Sequence, residues 1–511
     1  MTNATVTLET PLGAIKGVDQ GDVHVFRGIR FAEPPVGPLR FKAPVQTGSW
    51  LGTYDATEFG PIAPQGASRL NLAMGDFEAE QGEDCLYLNI WKPAEAKGPL
   101  PVLFWIHGGG FSSGAGSLDW YSGEEFARRH GVVVVSVNYR LGALGWLRIP
   151  GVSTGNMGLQ DQIAALLWVK ANIAAFGGDP EAVTAFGQSA GGWSIALMMA
   201  NRDCHGLFAR AILQSAPLGL MPPTAEEAEA TAGELMAILG LDGSQIDEFV
   251  ATPADKLLVA ARTLGMAKKR FGRIMTPVAP IRDGELVTGS PFAIAAEGGL
   301  ADIDIVIGTT REEMMAFFRF DPDFDKSTLA QVEEYYRLCF GDEAPARLAE
   351  AYRRRPGGSH AEIVSDAETH LRLTRPSIAF AEAVGRRGGN AFVFQFDWQS
   401  PMAGLDSCHC LEIPFVFNNP GAWTTSPMME GSDPDAVAGL SAAMQASWAA
   451  FAKTGNPDTP ELPHWPAYDS RKRMTMRFDD IVEPVSDLAG LDWRIPVPVE
   501  AYAGSMAKAT G

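Results

Sequence analysis

Short, uninterrupted apolar runs recur along this chain, with helical patterns between them. The strongest are Leu86–Trp91, Val102–Ile106, Val132–Val137 and Val183–Phe186, then Ala211–Gln214, Ile303–Ile307, Phe392–Phe396 and Met474–Phe478. A strand that is apolar at successive positions, not at every second one, is covered on both faces. Alternation of such strands with helices predicts a large, mainly parallel sheet with right-handed crossovers. Thr5–Leu8 and Val23–Phe26 are shorter, β-prone and flanked by turns, which predicts small antiparallel strands near the N-terminus. Between Leu159 and Phe176, apolar residues fall near helical spacing; Asn156 is placed to cap that helix, and Gly177 and Gly178 to end it. Ala225 to Lys268 and Ser327 to Arg387 are helix-rich and carry no chemical motif, so they read as insertions over the sheet.

Length alone, 511 residues at roughly 150 per domain, suggests about three domains. Lys and Arg number 41 against 61 Asp and Glu, a formal charge of −20, which repels nucleic acid and anionic membrane surfaces at long range. No apolar run approaches the ~20 residues that span a bilayer. The first twelve residues lack a basic segment followed by an apolar one, so no secretory leader is expected. The five cysteines, Cys85, Cys204, Cys339, Cys408 and Cys410, are too few and too scattered for a disulfide framework. Free thiols in a reducing cytoplasm are the simplest reading.

One junction carries chemistry. The Val183–Phe186 run enters Gly187-Gln188-Ser189-Ala190-Gly191, and a helical pattern from Trp193 to Ala200 follows. A serine on so sharp a strand-to-helix turn is lifted out of the sheet, and Gly187 and Gly191 remove side chains that would clash there. Ser189 is therefore the candidate nucleophile, and the Ala190 N–H faces the place where an oxyanion would develop. Val102–Ile106 ends in His107-Gly108-Gly109-Gly110-Phe111, and the Gly109 and Gly110 N–H groups complete an oxyanion hole. A phosphate loop is the rival, but the segment has no lysine. His107 is expected to be structural.

The acid and the base should follow the serine in that order. Glu312 and Glu313 both stand just past Ile303–Ile307, and spacing cannot choose between them. Of the later histidines, His360 and His370 fall in a helical insertion and His464 in a surface-like turn. His409 lies in a loop between Phe392–Phe396 and Ile413–Phe417, which favours it as the general base. Cys408-His409-Cys410 offers two thiolates and an imidazole to a metal, but a closed zinc site draws on two separated pairs, and the other cysteines are isolated. Candidate substrate contacts are Phe111, Gln188, Trp193, Phe317 and Phe318, although large aromatics more often pack inside.

Together these motifs resemble the type-B carboxylesterase family, which includes the cholinesterases and bacterial esterases of the para-nitrobenzyl type. The resemblance spans nearly the whole chain. Its marks are Phe26-Arg27-Gly28-Ile29, the segment Pro34 to Phe41, Glu83-Asp84-Cys85-Leu86-Tyr87-Leu88-Asn89, Asn138-Tyr139-Arg140-Leu141-Gly142, Gly155 to Gln162, and Phe176-Gly177-Gly178-Asp179-Pro180. It implies an α/β-hydrolase fold: a large, mostly parallel sheet flanked by helices, a small N-terminal antiparallel sheet, and helical insertions over the active-site rim. It implies one catalytic domain over 1–511, with insertions near 221–275 and 320–390, in place of three modules. The family's acid maps to Glu313 and its base to His409, with ion pairs Arg40–Glu83 and Arg140–Asp161 in the scaffold. Met314 and Cys410 stand where the family has glycine, Ala185 where it prefers a larger aliphatic, and Gln188 where it has Glu. The Gln188 change removes a negative charge and weakens any case for cationic substrates. Secreted members pair the cysteine at Cys85 with an earlier one; Pro64 stands at that place here. The loop from Gln65 to Asp84 also lacks the tryptophan that holds choline, and Phe77 is its only aromatic.

The expected activity is therefore hydrolysis of short to medium acyl esters through an acyl-enzyme, with a Ser-His-Glu triad and no cofactor or metal. An amide, carbamate or lactone hydrolase with the same triad is the nearest alternative, and a non-catalytic adhesion protein a remote one. The expected partner is a small-molecule ester, with no nucleic acid or membrane, on a monomer or weak homodimer.

Overall fold

The computed structural model describes residues 4–488 except 275 and 301. The readings for the first three residues and for the segment after 488 lie outside the described residues. Thirteen strands form one sheet: β1 (Thr5–Thr10), β2 (Gly13–Asp19), β3 (Val23–Arg30), β4 (Thr53–Asp55), β5 (Tyr87–Pro93), β6 (Leu100–Ile106), β7 (Val133–Val137), β8 (Gly178–Gln188), β9 (Arg210–Gln214), β10 (Asp304–Thr310), β11 (Ala391–Phe396), β12 (Met474–Phe478) and β13 (Glu483–Ser486). The order is β1-β2-β3-β5-β7-β6-β8-β9-β10-β11-β12-β13, with β4 beside β2. From β7 to β12 every pairing is parallel.

The N-terminal antiparallel strands are present, but they are not a separate small sheet. β3 pairs with β5, and β5 pairs with β7, so they extend the central sheet at one edge. That pairing satisfies backbone groups that a detached sheet would leave at a free edge.

The uninterrupted apolar runs have the expected cause. In β6, Val102, Phe104 and Ile106 join one hydrophobic core, while Leu103 and Trp105 join the other. β7 divides likewise, with Val133, Val135 and Val137 on one side and Val134 on the other. Trp105 alone meets Phe186 at 4.7 Å and Phe417 at 4.9 Å between ring centroids. Helices cover both faces, so a polar side chain on these strands needs a partner, as Ser136 in β7 finds by donating to the Gly116 carbonyl at 2.6 Å.

The helix over Met157–Asn172 continues as a tighter turn, Ile173–Phe176, and ends on Gly177 at φ 82. Asn156 precedes it, but its side chain does not cap it. The residue sits at φ 59, and its amide instead exchanges hydrogen bonds with Ile281, donating to the carbonyl at 2.9 Å and accepting the N–H at 2.8 Å. The scaffold ion pairs are both formed: Arg40 Nε lies 2.6 Å from Glu83, and Arg140 binds Asp161 through Nε at 2.8 Å and Nη2 at 2.7 Å. Helices fill the segments between β9 and β10 and between β10 and β11, among them Ala225–Ile238, Ala254–Ala267, Leu329–Phe340 and Ala344–Arg354. Among the described residues, no helix is long and apolar enough to cross a membrane.

Candidate active site

The loops after β6, β8, β10 and β11 leave the same edge of the sheet, because those strands run parallel. Each delivers one part of the site. β8 ends at Gln188, and Ser189 follows at φ 56, ψ −119 before the helix Ala190–Met199 begins. This is a conformation an L-residue holds only under constraint, at a cost of about 1–3 kcal/mol. The constraint is visible: Ser189 N–H donates to the Gln214 carbonyl at 2.8 Å, and Trp193 N–H donates to the Ser189 carbonyl at 2.9 Å. A Cβ on Gly191 would stand 2.0 Å from the Ile106 oxygen, and one on Gly187 would stand 2.8 Å from it.

The glycine loop after β6 lies directly against this turn. A Cβ on Gly108 would be 3.2 Å from that of Ser189. Gly109 and Gly110 adopt φ 105 and φ 59, and Ser112 and Ser113 N–H groups bond back to the Gly109 carbonyl. Among the described residues, neither the Gly109 nor the Gly110 N–H has a backbone acceptor. His107 is buried; its ring stacks on Tyr139 at 4.4 Å, and its Nδ1 is 2.7 Å from the Gly108 oxygen. Burial pushes its pKa down to about 4, so it is a neutral packing residue.

His409 sits in the loop after β11 and reaches Glu313, which follows β10. Nδ1 makes a short contact with Glu313 Oε2, and the other carboxylate oxygen accepts the Thr310 N–H at 2.9 Å. His409 N–H also donates to the Glu313 carbonyl at 3.1 Å. Glu312, its neighbour, turns to Arg355 at 2.7 Å and accepts the Ser407 N–H at 3.2 Å. Burial raises the pKa of Glu312, against the pull of Arg311 and Arg355. The two adjacent glutamates therefore face different partners. The other histidines stay apart: His360 is 2.7 Å from Ser327, and His464 is 2.7 Å from Asp458.

Gln188, expected as a substrate contact, is buried and does not line the cavity. Its amide Nε2 donates to His409 Nε2 at 3.2 Å. With Nδ1–H given to a carboxylate, this fixes the imidazole tautomer that keeps a lone pair on Nε2. Behind it, Gln214 donates to Glu412 at 3.2 Å and accepts the Trp448 indole N–H at 3.0 Å. Gln214 thus ties the Ser189 turn to the His409 loop, a link no motif signalled. Glu412 is fully buried, and desolvation followed by the Glu313 charge pushes its pKa up to about 7.

Ser189, Ala190, Gly109, Gly110 and His409 line one cavity. Phe111, Trp193 and Phe317 share its wall. Phe318 does not: its ring packs at 4.6 Å on Phe324. Met314, at φ −80, takes the family's glycine position without strain and lines the cavity too. Cys410 does carry strain, at φ 74. Burial holds its thiol and that of Cys408 well above the usual range. Pro64 and Cys85 line the same small cleft, so the proline fills the place beside that thiol. The lining also holds Arg69 and Arg372, which sequence patterns did not single out.

The pattern of the Carboxylesterase family matches residues 4–488. The para-nitrobenzyl esterase of Bacillus subtilis (strain 168) is 38% identical over 491 residues, 95% of this chain and 97% of that protein. The phenmedipham hydrolase of Pseudarthrobacter oxydans is 38% identical over 496 residues, 94% of this chain and 97% of that protein. The solved Geobacillus stearothermophilus carboxylesterase superposes with a TM-score of 0.84 at 32% identity, covering 97% of this chain and 99% of that chain. The sheet, flanked by helices on both faces, is that of an α/β-hydrolase. On this agreement of sequence and architecture, the chain belongs to the carboxylesterase family and is a carboxylic ester hydrolase.

Proposed function

We propose that the chain is a serine carboxylesterase acting through an acyl-enzyme, with Ser189, His409 and Glu313 as its triad. The observation that carries this reading is that Ser189 and His409 line one cavity while Glu313 holds His409 through Nδ1. Ser189 Oγ attacks the ester carbonyl carbon, and its proton passes to His409 Nε2 once Oγ replaces the Gln188 amide N–H on that lone pair. The Gly109, Gly110 and Ala190 N–H groups hold the tetrahedral oxyanion; donors of this kind are worth about 3 kcal/mol each in the transition state. His409 returns the proton to the departing alcohol oxygen. Water then attacks the acyl-serine, His409 takes its proton, and the acid leaves as Ser189 is restored. Glu313 orients the ring and stabilises its transient positive charge. The scheme needs no cofactor or metal.

The aromatic wall of the cavity supports short to medium acyl groups. We read the chain as one catalytic unit over 1–511, with the helices near 221–275 and 320–390 as insertions. The same reading makes it a cytoplasmic monomer or weak homodimer, and its five free, buried thiols support a reducing compartment.

The test is labelling with a fluorophosphonate followed by peptide mass spectrometry. A single adduct on Ser189 is expected, with turnover of a para-nitrophenyl ester falling at least ~10³-fold in Ser189→Ala. An adduct elsewhere, with turnover unchanged in Ser189→Ala, rejects the reading.

A further inference from the structure

Gln188 is the last residue of β8 and is only 1% exposed, so its amide is held in place by what surrounds it. A Cβ on Gly108 would stand 2.6 Å from Gln188 Oε1, so the amide oxygen lies directly against the bare glycine loop. The amide nitrogen reaches His409 Nε2 at 3.2 Å. Among the described residues, Ser189 Oγ makes no hydrogen bond, so in the free protein Gln188 is the donor on the Nε2 lone pair.

That bond depends on the charge of the ring. A neutral imidazole with its proton on Nδ1 accepts at Nε2, whereas an imidazolium carries N–H at both nitrogens and accepts at neither. The Gln188 N–H therefore binds the neutral ring and meets the charged one donor to donor. A hydrogen bond made only to the neutral form disfavours the charged form. The opposite pull comes from Glu313, whose carboxylate at Nδ1 favours the imidazolium. Gln188 is thus set against Glu313 across one ring.

The other ionisable groups near His409 do not duplicate this contact. Cys408 and Cys410 flank it, and burial holds both thiols above their usual range, in the neutral form. Tyr121, near Cys410 and Glu412, is kept neutral by burial as well. Glu412, pushed up to about 7 by burial and the Glu313 charge, favours the imidazolium only once ionised. Arg69 and Arg372 line the same cavity as the ring. A substitution at position 188 leaves all of these groups in place.

We propose that Gln188 is the positioning residue that sets the acid limit of this esterase. Its amide N–H holds His409 as the neutral ring that a general base must be, so turnover persists to lower pH than a carboxylate at the same place would allow. A glutamate there, the family's residue, would accept from a protonated Nε2 and add a buried negative charge beside it. The proposal rests on the serine-esterase reading and adds a pH range to it.

The experiment is the pH profile of kcat/KM for para-nitrophenyl butyrate from about pH 5 to 8, which reports on the free enzyme. Full recovery of activity on return to pH ~7.5 keeps unfolding out of the profile. In Gln188→Glu the midpoint of the acid limb is expected to rise by about one pH unit or more. On the acid side that is a loss of about 10-fold relative to the variant's own plateau. Gln188→Met keeps the bulk without a donor, and its limb is expected to rise by about half a unit. A residue that only fills space would leave the limb where it is in Gln188→Met. Rates of fluorophosphonate inactivation should follow the same shifts, since they report on Ser189 and His409 with no alcohol to bind. A limb unmoved in both variants, with Ser189 still labelled, overturns this inference alone. So does a limb that moves in Glu412→Gln but not in Gln188→Glu. No turnover of any ester by the parent protein, with no fluorophosphonate adduct on Ser189, overturns the esterase reading and this inference with it.

Discussion

Glu312 and Glu313 are adjacent in the chain, both are buried, and they hold different partners. Glu313 meets His409 and the Thr310 N–H, whereas Glu312 meets Arg355 and the Ser407 N–H. Glu313→Gln keeps the shape but loses the charge that orients the imidazole and stabilises its protonated form. Its kcat is expected to fall about 10³–10⁴-fold with little loss of stability. Glu312→Gln should keep kcat within about 10-fold and cost about 1–3 kcal/mol in urea unfolding, because Arg355 retains Asp366 at 2.7 Å. Equal losses of kcat in the two variants would reject Glu313 as the triad acid. Spacing left these two glutamates undecided, and only the family's run of residues chose between them. Ser189 was a candidate from its strand-to-helix signature, and His409 from its loop between two apolar segments. Arg69 and Arg372 were not, since they come together only at a cavity that joins distant parts of the chain. Gln188 was legible as a departure, but its bond to His409 Nε2 depends on how β8 and the loop after β11 are set side by side.

The strand-to-helix turn at Ser189 depends on what surrounds it. β6 runs so close that Gly191 has no room for a methyl group, with the Ile106 oxygen 2.0 Å and its carbonyl carbon 2.7 Å from the Cβ position. Backbone atoms cannot swing aside as a long side chain would. Gly191→Ala is therefore expected to lose about 3 kcal/mol or more, or to yield no folded protein. Gly233→Ala is the control: it is exposed within the helix Ala225–Ile238 and would meet nothing within 4 Å. It should gain about 0.5–1 kcal/mol from helix propensity alone. Thermal melts of both variants check this, and a folded Gly191→Ala with an unchanged midpoint would refute the close-approach argument. Elements of this kind were readable from the sequence because covering both faces of a strand leaves an unbroken apolar run, as in β6 and β7. The Asn156 cap was misread for an equally physical reason: a left-handed φ and the backbone of Ile281 compete for its side chain. The edge pairing of β3 with β5 was not readable, because a short alternating strand looks the same at the edge of a large sheet as in a small one.

Over the whole molecule, stability against pH is a contest between buried groups of opposite sign. His107 and His370 are desolvated, with pKa values pushed down to about 4 and about 3. In the unfolded chain both titrate near about 6.5. Between those values the unfolded state binds protons that the folded state refuses, so these histidines make stability rise with pH. Glu412 acts the other way. Its pKa is raised to about 7, chiefly by burial, so the folded state holds a proton that the unfolded chain releases near about 4.3. Its contribution is complete below that unfolded value and is lost as pH rises through about 7. Near pH ~5.5 the balance is about two protons against one, which predicts a rise of roughly 1.4 kcal/mol per pH unit. Smaller shifts partly cancel, since Glu312, Glu382, Asp397 and Asp406 are raised while His24 and His130 are lowered, each mainly by burial. Glu412→Gln removes the opposing proton and should steepen the rise toward roughly 2.7 kcal/mol per unit. Salt separates this effect from the −20 net charge. Screening weakens repulsion among surface carboxylates and lifts stability at every pH, but it does not reach desolvated groups, so the slope should persist at ~0.5 M NaCl. Urea unfolding between about pH 5.5 and 6.5, kept above the pI of ≈ 4.9 to avoid association, gives the measurement. A Glu412→Gln slope equal to or shallower than that of the parent would mean that Glu412 is already ionised in the folded protein.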